Sequence, residues 1–173
     1  MVKKNIIPKK VLDHLKKSGI NHKILEHKTV YTAVDVALTM RKKLDKIVKS
    51  LLVKADKDYF LVLLPANYNL DLEKLKKVIS KSHQKDIKII KIPGEKIVEN
   101  TLKVKAGTIS AFGSLYKIPV IVEKKLEKLK KGIFSAGSFN HSVELIVNDF
   151  IKLEKAILGS FGKKKKIKIA KKK

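Results

Sequence analysis

The chain of 173 residues contains no cysteine and one arginine, Arg41. Without cysteine there is no disulfide, no thiolate metal site and no thiol nucleophile, and the composition fits a reducing compartment, so a cytoplasmic location is expected. The five histidines (His14, His22, His27, His83 and His141) have no metal-ligand spacing, and neither metal nor cofactor is expected. No apolar run approaches the length of a membrane span. No long apolar segment follows the charged start MVKKNIIPKK, which argues against a signal peptide. The phosphate loop GxxxxGK(S/T) and the nucleophile elbow GxSxG are both missing, and no internal repeat is visible.

Positive charge is abundant. The formal net charge is +25, the sequence pI is near 10.1, and +17 remains once the eight lysines from Lys163 onward are set aside. Such a chain attracts polyanions, with nucleic acid the leading partner. Lysine is a compact point charge, whereas arginine provides planar bidentate recognition. The charge therefore argues for contact with phosphates and not for base reading.

The hydrophobic content of 44% suits one globular domain able to bury its own core. Taken in order, the pattern predicts a helix over 8–18 closed by Gly19, a short strand over 21–26, and a turn HKTVYT at 27–32. Thr32 is a candidate N-cap with Asp35 three residues on, opening a helix over 34–42. A hairpin follows, with strands over 46–55 and 59–64. Next come a helix over 70–80, a strand over 86–92, a helix over 93–102, a strand over 118–122, a charged helix over 123–131 ended by Gly132, a strand over 143–147, and a helix over 149–158 capped by Asp149. The run KKKKIKIAKKK from Lys163 reads as a flexible basic tail, so the expected division is a domain over 1–162 and a tail over 163–173.

Four features carry possible chemistry. Strand alternation puts Lys49 on the same face as Ile47, Leu51 and Val53, where an amine costs free energy unless it is partnered or used. The loop Gly107–Gly113 (GTISAFG) offers backbone groups to a small polar ligand: Gly107 permits close approach, and Gly113 is expected in a left-handed turn. His27 precedes Tyr31 and Thr32 in a loop. A second glycine turn, Ser135–Asn140, leads into His141. Each has an ordinary alternative: a snorkelling lysine, a turn histidine, or hairpin glycines.

In combination, these features resemble the YbaK-like, prolyl-tRNA synthetase-associated domain family of aminoacyl-tRNA deacylases. The resemblance runs from about His27 to Leu158. It rests on His-x-x-x-Tyr-Thr at 27–32, Lys-Ser-Leu at 49–51, Pro65-Ala66 before the Leu-Asp-Leu helix start, GTISAFG followed by IPVIVE, and the Ala-Gly…Asn turn before a strand and Asp149. It implies an α/β fold, a compact single domain with a mixed, curved, barrel-like β-sheet flanked by helices. It implies hydrolysis of the ester joining a wrong amino acid to tRNA, without a metal, by water aided by the substrate's own 2′-hydroxyl. Lys49 and Gly107 are then the catalytic candidates. His27, Tyr31, Thr32, Ser50, Thr108, Ile109, Ser110, Ala111, Phe112, Gly137, Asn140 and His141 are the substrate-binding ones. The chain has no room for a synthetase body, so a free-standing editor that binds mischarged tRNA through its lysine-rich surface and tail is expected, with a synthetase as a possible associate. Where the family has Gly-x-x-x-Pro, this chain has Ala111 in place of the proline, which leaves an extra N–H and is expected to loosen the loop. Two rivals are an RNA-binding protein that keeps the fold without the reaction, and a binder of anionic membrane surfaces or polyphosphate that uses the tail.

Overall fold

The centre of the fold is a hairpin of two apolar strands, β2 (Val48–Ala55) and β3 (Asp58–Pro65), in a computed structural model that describes residues 7–165. They pair antiparallel from Val48↔Pro65 to Ala55↔Asp58. The two-residue turn needs a left-handed residue, supplied by Asp56 (φ 52°). The Asp56 carboxylate accepts the N–H groups of Lys88 (3.2 Å) and Ile89 (2.8 Å), and these bonds hold its pKa below the usual carboxylate value.

β3 is apolar without alternation because both its faces are covered. Leu61 and Leu63 join Val120, Val122, Phe112, Phe134 and Phe150 in one core, whereas Val62 and Leu64 join Ile121, Phe161, Leu75 and Ile79 in another. Leu75 and Ile79 come from α3 (Leu72–His83), whose first turn is capped by Asp71 accepting the Lys74 N–H at 3.1 Å. The remaining strands of this sheet are β5 (Ile90–Lys91), β6 (Val120–Glu123) and β9 (Ile157–Gly159), in the order β5-β2-β3-β6-β9, with β3, β6 and β9 parallel.

A second, antiparallel sheet has the order β1-β8-β7, from β1 (His22–Glu26), β7 (Lys131–Ser135) and β8 (His141–Ile146). A third pairs β4 (Tyr68–Leu70) with β10 (Gly162–Lys164). The other helices are α1 (Lys9–Ser18), α2 (Ala33–Met40), α4 (Glu95–Leu102) and α5 (Val147–Glu154). The fold is mixed α/β, as expected, but the sheets stay open and do not close into a barrel. Among the described residues, no helix is long and apolar enough to cross a membrane.

Several local expectations are corrected. The charged run after Glu123 forms only a 3₁₀ turn, Lys124–Lys128, since Leu126 is its one buried residue. Gly132 does not end a helix but lies inside β7, where an added Cβ would stand 3.1 Å from Phe134 and 3.3 Å from Val48. Gly113 has no left-handed backbone; an added Cβ would meet the Val120 side chain and stand 2.6 Å from the Ile118 carbonyl oxygen, so it is there for space. α5 starts at Val147 without a side-chain cap and stops at Lys155, which is left-handed (φ 49°) and frees Ile157 and Leu158 to pair with β6. The strand expected over 86–92 shrinks to β5.

β4, β9 and β10 carry little sequence signal and went unforeseen. The run read as a tail begins with strand: Lys163 pairs with Asn69, Lys164 with Tyr68, and the Lys165 N–H donates to the Asn67 carbonyl at 2.9 Å. The buried Glu123 carboxylate fixes this return by accepting the N–H groups of Phe161 and Gly162, each at 2.7 Å. The rest of the expected tail, 166–173, lies outside the described residues.

Candidate active site

The two larger sheets share a core and are joined by one parallel bridge, Ile47↔Ile133. A cavity of about 420 Å³ is lined by residues of both. Lys49, Ser50 and Leu51 line one side, and Ser135, His141 and Ser142 the other. Three consecutive β2 residues reach it because the edge of β2 is open here: β5 pairs only with Lys54 and Ala55. The start of α2 (Tyr31, Thr32, Ala33 and Val36), the segment Ala106, Gly107 and Ile109, the turn residues Ser138 and Phe139, and Glu95 complete the wall.

The Lys49 amine is half-buried. Desolvation, and after it the neighbouring Lys165 ammonium, lowers its pKa to about 8. Beside it, the Ser50 hydroxyl oxygen is buried without a hydrogen-bond partner among the described residues. Both belong to a strand held by eight paired positions of β3, so their placement is rigid.

Gly107 is left-handed (φ 89°), and its missing Cβ leaves room for the Phe139 ring, 3.2 Å from where that atom would sit. Phe139 in turn meets Tyr31 edge-on at 5.0 Å. Within 106–111 the backbone donors divide. Ala106 donates to Glu99, Thr108 to Lys105, Ser110 to the Tyr116 hydroxyl and Ala111 to the Ser135 carbonyl. The N–H groups of Gly107 and Ile109 have no partner among the described residues, and both residues line the cavity. Backbone donors without an internal partner and a half-buried cation on the same cavity wall are the kinds of group that stabilise negative charge developing on an oxygen.

The two cavity histidines differ. His27 accepts the Ser142 hydroxyl at Nε2 (2.9 Å) while Nδ1 donates to the Lys28 carbonyl (2.8 Å), so both ring nitrogens are occupied. Ser138 spends its one proton on Asn140 Oδ1 (2.7 Å), so its oxygen accepts from His141 Nδ1 (3.2 Å). That tautomer leaves His141 Nε2 as an acceptor without a partner among the described residues.

Of the residues expected from sequence, the cavity brings together Lys49, Ser50, Gly107, Ile109, His27, Tyr31, Thr32 and His141. Thr32 also caps α2, accepting the Asp35 N–H at 3.1 Å. Six others do not line it. Ser110, Ala111 and Phe112 are buried in or against the core, where the chain turns inward after Ile109. Thr108 is tied to Lys105 (2.7 Å), Gly137 packs on Pro8 and Ser110, and Asn140 supports the site through Ser138 and accepts the His27 N–H at its carbonyl (2.9 Å). The expected loosening at Ala111 is also corrected, since its N–H is used, at 3.1 Å, to tie the loop to the end of β7. Phe139, Ser142 and Glu95 were missed. Phe139 stood in a turn already singled out, but nothing in sequence brings Glu95 to this wall.

The profile of the aminoacyl-tRNA editing domain matches residues 27–153, well over half of the chain. The protein belongs to this family. No curated protein matches it by sequence. Among solved structures, it superposes on a hypothetical protein with a TM-score of 0.80 at 18% identity, covering 89% of this chain and 99% of that one. A candidate trans-editing enzyme for prolyl-tRNA synthetase gives a TM-score of 0.75 at 18% identity over 90% and 96% of the two chains. A candidate signal transduction protein from Marinobacter aquaeolei VT8 gives 0.66 at 17% identity, with 91% of this chain covering 31% of that one. At these identities the likeness is one of fold, and it establishes the editing-domain architecture.

Proposed function

We propose that this editing domain is a free-standing aminoacyl-tRNA deacylase that hydrolyses the ester of a mischarged tRNA. The observation that carries this reading is one cavity lined by Lys49, Gly107 and Ile109, the last two with backbone N–H groups that have no partner among the described residues. Lys49 holds the terminal nucleotide or the ester oxygen. The carbonyl oxygen, as water adds and the charge grows, meets the two backbone donors, whose fixed orientation costs no reorganisation. The substrate's 2′-hydroxyl orients the water, and His141 Nε2 accepts its proton and later passes it to the leaving ribose oxygen. Collapse of the adduct breaks the ester C–O bond, the ribose oxygen takes the proton, and a free amino acid leaves. In this reading water attacks directly, and the Ser142 hydroxyl, donating to His27 Nε2, serves to hold that ring in place.

The wider surface supports a tRNA partner through charge, with the lysines meeting phosphates along the backbone. Ala111 does not favour a reaction-less binder, because its N–H is built into the loop. The test is a panel of tRNAs, each charged with a wrong amino acid, incubated with the full chain. Release of one amino acid well above the uncatalysed rate is expected. Binding without turnover anywhere on the panel would leave the RNA-binding reading in its place.

A further inference from the structure

The family match ends at residue 153, yet the chain beyond it returns towards the start of β2. β10 adds to β4, and the backbone bond from the Lys165 N–H to the Asn67 carbonyl extends that pairing by one residue. Asn67 directly follows Ala66, whose N–H donates to the Ile47 carbonyl at the entrance to β2. This route carries Lys165 to the end of β2 that holds Lys49, near enough for the Lys165 ammonium to disfavour charge on the Lys49 amine. Among the described residues, no carboxylate lies within ion-pair distance of either amine, and Glu95, on the same cavity wall, pairs with neither. The nearby Asn67 Oδ1 is buried without a partner among the described residues. Two amines brought to one end of β2, with no carboxylate in ion-pair reach among the described residues, form a place suited to an anion.

We propose that Lys165 and Lys49 form a two-amine clamp for a phosphate at the edge of the cavity, so that the C-terminal strand supplies a binding residue from outside the editing domain. This rests on the deacylase reading: the phosphate is that of the terminal nucleotide, and the clamp sets the ribose, and hence the ester, at the correct depth. Glu123 serves the clamp from a distance by fixing the backbone at Phe161 and Gly162, from which β10 continues.

The test uses the full chain, unaltered and as Lys165→Gln and Lys165→Arg, titrated calorimetrically with 5′-AMP and with adenosine. Glutamine preserves the backbone bond to Asn67, so the strand stays in place. The unaltered protein is expected to bind 5′-AMP on the order of 10- to 100-fold more tightly than adenosine, the worth of a charge-assisted hydrogen bond. Lys165→Gln should lose most of that margin without changing adenosine affinity, and Lys165→Arg should keep it. Equal affinity for the two ligands in the unaltered protein, an undiminished margin in Lys165→Gln, or no binding of either ligand at millimolar concentration overturns the clamp. The deacylase reading fails separately: intact clamp behaviour with no turnover on any mischarged tRNA removes the reaction and leaves the clamp. Turnover in which Lys165→Gln raises neither KM nor the 5′-AMP dissociation constant removes the clamp and leaves the reaction.

Discussion

Replacing Lys49 by methionine should make the protein more stable at neutral pH. The amine is held at a pKa of about 8 against an ordinary 10.5, because burial and Lys165 both disfavour its charge. At roughly 1.4 kcal/mol per pH unit, that gap corresponds to about 3 kcal/mol of destabilisation while both states carry the proton. The amine is only half-buried, and solvent screening reduces the figure to about 1–2 kcal/mol. Methionine fills similar space without a charge. Below pH 8 the native wild type bears the whole cost. Between pH 8 and 10.5 its native state releases the proton while the unfolded chain keeps it, so wild-type stability climbs with pH relative to the variant. Urea denaturation of both proteins from pH 7 to 10.5 should therefore show an advantage for Lys49→Met at pH 7, equivalent to roughly 2–8 °C in Tm, that shrinks towards pH 10.5. A variant no more stable at pH 7, or an advantage that ignores pH, would refute the idea that this amine is kept in its place at a cost to the fold.

Gly107→Ala places a Cβ on a left-handed backbone 3.2 Å from Phe139; it should destabilise the chain by about 1–2 kcal/mol in denaturant and lower deacylation more than stability by turning the free Gly107 N–H. Ala111→Pro deletes the N–H that bonds Ser135 and should cost about 1 kcal/mol or more, read as a lower denaturation midpoint; an unchanged or raised midpoint would mean that the bond adds nothing. If six to ten phosphates are contacted, tRNA affinity should fall on the order of 10³- to 10⁵-fold between 50 and 200 mM salt, and a flat filter-binding curve would show that the lysines do not hold the backbone.

Periodicity exposed the hairpin β2–β3, the helices α1 to α4 and the inward Lys49, since each depends on local alternation or a helical stripe. It failed where partners distant in sequence decide. β9 and β10 are three residues each and exist because β6, β4 and the Glu123 carboxylate receive them. The lysines at 163–165 looked like a solvated tail because lysine carries no strand signal, yet backbone pairing needs no particular side chain. In the site, the quoted motifs meet at one cavity without resolving its layers: Gly107 and Ile109 line the cavity, whereas Ala111 and Phe112, two and three positions beyond Ile109, are core. The open edge of β2 was invisible because a strand's sequence does not report where its neighbour stops.

The most direct test is the single-turnover rate of ester hydrolysis on the best mischarged tRNA from the panel, compared between the wild type and Lys49→Ala, with circular dichroism confirming that both are folded. A loss on the order of 100-fold or more in the folded variant is expected, as for removal of a preorganised electrostatic group. Hydrolysis by Lys49→Ala at the wild-type rate would contradict the account.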